Sequence, residues 1–134
     1  MPILTWLNDD EVRKISGHIS YRLLEADPAL SYGAVDTENM LIQGDNLEAL
    51  KALLPYYADQ VKCIYIDPPY NTQSAFEHYD DNLEHSTWLT MMYPRLELLR
   101  DLLAEDSSIW ISKKAREAKV LNSWDGMISM PKRT

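Results

Sequence analysis

The run Val61-Lys62-Cys63-Ile64-Tyr65-Ile66 constrains this chain more than any other feature. It is rich in β-branched residues and almost continuously apolar. A strand with one wet face alternates apolar and polar residues, whereas an unbroken run reads as a strand covered on both faces, as in a parallel sheet. Cys63 inside it is read as a small core residue. Upstream, Met40-Leu41-Ile42-Gln43 is a shorter apolar run that stops at Gly44-Asp45, which predicts a buried strand and a tight turn. Asp45 or Asn46 then caps a helix in which Leu47, Leu50, Leu53 and Leu54 form the apolar stripe, and Pro55 should end or kink it. Residues 71–86 are polar and read as loop. The strongest helical pattern spans 87–104, capped by Ser86 or Thr87 and bent at Pro94, with a stripe of Trp88, Leu89, Met92, Leu96, Leu99, Leu102 and Leu103. Ser108-Ile109-Trp110-Ile111-Ser112 reads as a third strand. This alternation predicts an open, mainly parallel α/β sheet with flanking helices, joined by right-handed crossovers.

The whole chain has 134 residues, of which 46% are hydrophobic and 25% charged, so one small soluble domain is expected rather than a disordered or fibrous chain. No apolar stretch approaches the roughly 18 residues of a membrane span, and the first residues do not form a secretory signal. One cysteine permits no internal disulfide and fits a reducing, cytoplasmic setting. Residues 1–38 form an N-terminal arm in which Ile15, Ile19, Leu23 and Leu24 stand at loosely helical spacing. His18 has no ligand partner near it and reads as a surface residue. Glu77, His78, Asp80, Asp81, Glu84 and His85 match no tetrahedral metal spacing, so they read as a solvated loop and no metal is expected.

Charge divides the chain at Lys113. Residues 113–134 hold six basic and two acidic side chains, net +4, whereas the first 112 residues hold seven basic and nineteen acidic, net −12. An acidic body of that size argues against a free-standing nucleic-acid binder driven by electrostatics. Residues 39–112 therefore form the expected structural unit, with 113–134 a divergent basic tail. Only Val120, Leu121, Trp124, Met127 and Ile128 are candidates for burial in that tail.

The chemistry concentrates in Asp67-Pro68-Pro69-Tyr70-Asn71-Thr72, at the carboxyl end of the central strand, where open α/β sheets bind their ligands. Proline averages about 5% of residues, so two in a row arise by chance only about once in 400 positions. The group suits a planar heterocycle with an exocyclic amine. The Asp67 carboxylate accepts one N–H, and a backbone carbonyl held by proline accepts another. Tyr70 offers a ring for stacking. Two acceptors on one amino group draw its lone pair out of conjugation and leave it free to attack an electrophile.

The run Asp67-Pro68-Pro69-Tyr70 after an apolar strand resembles the signature of adenine-specific DNA methyltransferases. The wider text is similar to the modification subunits of type III restriction systems. It comprises Leu41 to Leu50, Ile64 to Thr72, Trp88-Leu89-Thr90-Met91-Met92-Tyr93-Pro94-Arg95-Leu96 and Ser108 to Ser112. The resemblance implies a partial Rossmann-like methyltransferase domain and methyl transfer from S-adenosylmethionine to N6 of an adenine flipped out of DNA. It implies that Asp67, with the Pro68 carbonyl and Pro69 behind it, holds the amine. Tyr70 would stack on the base, Asn71 and Thr72 would contact substrate, and Asp45 would contact the cofactor. It further implies DNA and a restriction subunit or a second methyltransferase subunit as partners.

Two departures stand out. The family's cofactor loop is a Gly-x-Gly turn, but Gly17, Gly33, Gly44 and Gly126 are all more than ten residues apart in this sequence. After Ile111-Ser112 the family continues Ile-Asp-Asp-x-Glu, whereas this chain reads Lys113-Lys114-Ala115-Arg116-Glu117. The expectation is a truncated methyltransferase, inactive as an isolated chain. A noncatalytic piece that binds a partner is the alternative.

Overall fold

The computed structural model describes residues 5–34, 36–68 and 81–112, with only the backbone of 81–85. Its elements run α1 (Asp9–His18), α2 (Asn46–Tyr57), β1 (Val61–Ile66), α3 (Asp81–Leu102) and β2 (Leu103–Ile111). β1 and β2 pair in parallel, with Ile64 opposite Ile109, Tyr65 opposite Trp110 and Ile66 opposite Ile111. The chain is thus a partial open α/β sheet with flanking helices. The basic tail from 113 lies outside the described residues.

Helix α3 is the spine of the core. Trp88, Leu89, Met92, Tyr93, Leu96 and Leu99 are buried with Val12 of α1, Ile64 of β1 and Leu103 of β2, and Leu50 of α2 packs against that cluster. The Trp88 and Met92 side chains fill core, as the stripe predicts. Pro94 is fully buried inside α3. Its missing N–H leaves the helical ladder one donor short.

Several sequence expectations need correction. Residues 40–43 form no strand. Leu41 is 99% exposed, and no neighbouring strand is present among the described residues to pair with the run. The sheet therefore has two described strands where three were expected. The arm's helix lies earlier than the Ile15-to-Leu24 spacing indicated, and Leu23 is 93% exposed beyond its end. Helix α2 passes through Pro55 and stops two residues later, at Tyr57. A proline there deletes a single ladder bond near an end that is already fraying. Helix α3 begins at Asp81, inside the expected loop. Polarity alone does not separate a loop from a polar helix end. β2 starts five residues before Ser108, directly after α3, with an irregularity opposite Val61–Cys63.

The largest correction concerns β1. Its residues alternate after all: Ile64 is buried, while Cys63 and Tyr65 are exposed. The apolar residues on the Ile64 side of the sheet share one core with the helices, and Tyr65 and Trp110 are paired on the opposite side. Cys63 thus falls outside the core by parity. No described helix is long and apolar enough to cross a membrane.

Helix α1 is clasped to α3 by Arg13. Its guanidinium lies 5.1 Å from the Trp6 ring centroid and 5.0 Å from that of Tyr93, and it donates to the Tyr93 hydroxyl at 3.1 Å. Burial pushes the Tyr93 phenol above its ordinary value, and the nearby Glu97 carboxylate adds to the shift against the lowering effect of Arg13. The folded state therefore holds this proton more tightly than the unfolded chain does. The associated stabilisation is complete below the ordinary tyrosine value of 10.0 and is lost as pH rises through and beyond it. The melting temperature of the full chain should fall above pH 10 more steeply than that of Tyr93→Phe, as followed by circular dichroism.

Candidate active-site edge

Three elements converge on the carboxyl edge of the sheet. Asp67 follows β1 directly and is exposed, while Pro68 behind it is buried. The Ser112 amide, just past β2, donates to the Ile66 carbonyl at 2.9 Å. That bond carries the pairing to the residue before Asp67 and fixes the direction in which the chain leaves the strand. An exposed aspartate followed by a buried ring with a locked φ places an acceptor-bearing residue on a fixed base.

Helix α2 reaches the same edge. A turn of three residues joins it to β1, so the two run in opposite directions. Asp59 takes a left-handed φ of 61° in this turn, a conformation that aspartate tolerates. The Asp59 and Gln60 amides donate to the carbonyls of Asp101 and Leu102, both at 3.1 Å, which pins the far ends of α2 and α3 together. The twelve residues of α2 span about 18 Å at 1.5 Å each, and the six of β1 about 20 Å. The start of α2 accordingly returns to the level of Asp67.

Asp45 caps that start. Its Oδ1 accepts from the Leu47 amide at 2.8 Å and from the Glu48 amide at 3.4 Å. Loss of such a cap costs about 0.5–2 kcal/mol. Asp45→Ala should lower the midpoint of urea unfolding accordingly, with the slope unchanged.

Arg95 of α3 holds this corner. Its Nε donates to the Asn46 Oδ1 at 2.6 Å, one terminal nitrogen donates to the Met91 carbonyl at 2.6 Å, and the other stands 3.9 Å from the Asp45 Oδ1. The sequence pattern placed Arg95 in a recognised stretch but gave it no role. The signal lay in a basic residue one position beyond a helix-internal proline.

Of the expected site residues, Asp67, Pro68 and Asp45 are described and lie at one end of the sheet. Pro69, Tyr70, Asn71 and Thr72 lie outside the described residues. Glu77, His78 and Asp80 do too, only the backbone of Asp81, Glu84 and His85 is described, and no group of three or more potential metal ligands occurs among the described residues. An S-adenosylmethionine cradle needs free backbone donors at a loop or helix start. The α2 amides are already satisfied by Asp45, and a cofactor contact at Asp45 would compete with those bonds. The described residues thus do not fit a complete cofactor cradle.

Comparisons with known proteins cover the same stretch of chain. A DNA methylase family model matches residues 61–130, a span that contains β1, the Asp-Pro-Pro-Tyr stretch, α3 and β2 and runs on past residue 113. The probable type III restriction-modification enzyme HindVI Mod subunit of Haemophilus influenzae is 50% identical over 74 residues, 55% of this chain and 10% of that protein. The EcoPI Mod subunit of Escherichia phage P1 is 35% identical across 88% of this chain and 23% of its own length. The type II methyltransferase M.EcaI of Enterobacter cloacae is 39% identical across 54% of this chain and 17% of its own. The chain therefore spans between about a tenth and a quarter of the length of these relatives. A parallel strand pair, an acid and a proline at its carboxyl edge and a match across that region lead to one conclusion: the chain belongs to the N6/N4 DNA methylase family and is similar to type III Mod subunits.

Proposed function

We propose that this chain supplies the amine-holding part of a DNA methyltransferase acting on adenine N6. The observation that carries the reading is the pair at the end of β1, an exposed Asp67 followed by a buried Pro68. Asp67 and the Pro68 carbonyl accept the two N–H groups of the adenine amine and hold its lone pair toward an electrophile. Tyr70 stacks on the flipped base, and Asn71 and Thr72 border it. Methylases of this family use S-adenosylmethionine as methyl donor. The described residues do not form its cradle. DNA carrying the target adenine is the substrate, and a restriction subunit or a second methyltransferase subunit is the protein partner.

One observation favours a second reading. Tyr65 and Trp110 stand opposite each other and are 71% and 63% exposed on the uncovered sheet face, which suits a noncatalytic piece that only binds a partner polypeptide. One experiment separates the two. The full chain is co-expressed with the part of the EcoPI Mod subunit that lies beyond the aligned region, and methyl transfer to adenine-containing DNA is measured. The first reading expects N6-methyladenine that depends on this chain. A complex that assembles without forming it supports the second.

A further inference from the structure

The Arg95 clamp ties the start of α2 to α3 at this edge. It donates to the side chain of Asn46 and to the main chain of Met91 one turn back in α3, and it stands in ion-pair range of the Asp45 carboxylate. The Arg95 side chain is only 21% exposed. Before the clamp, Met40, Leu41, Gln43 and Gly44 are exposed and belong to no helix or strand. After it, the first turn of α2 is held by the Asp45 cap and by an exposed pairing of Arg22 with Glu48. The planar guanidinium presents donors in several fixed directions, which a lysine ammonium cannot reproduce.

We propose that Arg95 is a positioning residue: it fixes the Asp45–Asn46 corner as one wall of the edge where Asp67 stands. This rests on the methyltransferase reading only for its functional consequence. Without the fork, the corner loses its tie to α3, its Asp45 cap opens more often, and the wall moves relative to Asp67. Substrate would then be held less tightly, while the acceptors at Asp67 and Pro68 would act as before once the base is seated.

The test uses the full chain with Arg95→Lys and Arg95→Met. Amide hydrogen exchange at Leu47 and Glu48 should accelerate at least tenfold in both, with the β1–β2 ladder amides of Ile64, Ile66 and Trp110 unchanged. Adding Asn46→Asp to Arg95→Lys offers the ammonium a carboxylate and should restore most of the protection, as a double-mutant cycle would register. In the complemented methylation assay, Arg95→Lys should raise KM for DNA about tenfold and leave kcat within about twofold. Parental exchange at Leu47 and Glu48, or equal acceleration across the ladder, overturns the clamp. A parental KM in an assembly whose activity still requires Asp67 overturns its role at the site. An assembly indifferent to Asp67→Ala overturns the methyltransferase reading instead, and the exchange result stands apart from it.

Discussion

Asp67→Ala should lower the single-turnover methylation rate of the complemented chain by about 10²–10³-fold, while binding to adenine-containing DNA stays close to parental. The magnitude is that of removing one preorganised partner from a group whose charge changes in the transition state. The separation of rate from binding follows from geometry. Asp67 is exposed at the end of β1 and fills no part of the core, so its removal leaves the fold intact. It also bears on the amine rather than on the phosphates that dominate DNA affinity. Tyr70→Ala should behave differently, because lost stacking worth about 1–3 kcal/mol weakens the flipped base before chemistry begins. Equal rates for Asp67→Ala and the parent would reduce the Asp-Pro-Pro-Tyr stretch to a turn.

Leu98→Ala should produce the largest loss of stability. Leu98 is 1% exposed on α3, the helix on which α1 and α2 both pack. Truncating a leucine so enclosed costs about 2–5 kcal/mol, set by how far the surroundings collapse into the vacated space. Against a total of about 5–15 kcal/mol for a domain, that removes a large share. At about 4 °C per kcal/mol, where the ranges for smaller and larger domains meet, the melting temperature should drop by about 8–20 °C. Leu23→Ala is the control: Leu23 is 93% exposed, and its loss should stay within about 0.5 kcal/mol. Similar losses for the two variants would mean that α3 is not the centre of the core.

Much of this molecule could be read along the chain because the signals were local. The cap at Asp45, the apolar stripe of α3, the strand at Val61–Ile66 and the acid at its carboxyl end each depend on neighbours within a turn or a few residues. The sequence also carried the family resemblance, since Asp67 and Pro68 are adjacent in the text as they are in space. What it could not determine was set by layers. Cys63 and Tyr65 share their run with Ile64, yet only Ile64 faces the helices, because a strand alternates its faces and the helices here lie on one side. Leu41 has the composition of a strand residue and stays exposed, because a strand exists only where another strand supplies its hydrogen bonds. Arg95 lies 49 positions from Asn46 in sequence and 2.6 Å from it in space. No spacing rule reaches across that interval: the turn that pins the ends of α2 and α3 brings the two helices side by side, and only then does a guanidinium in one find the start of the other.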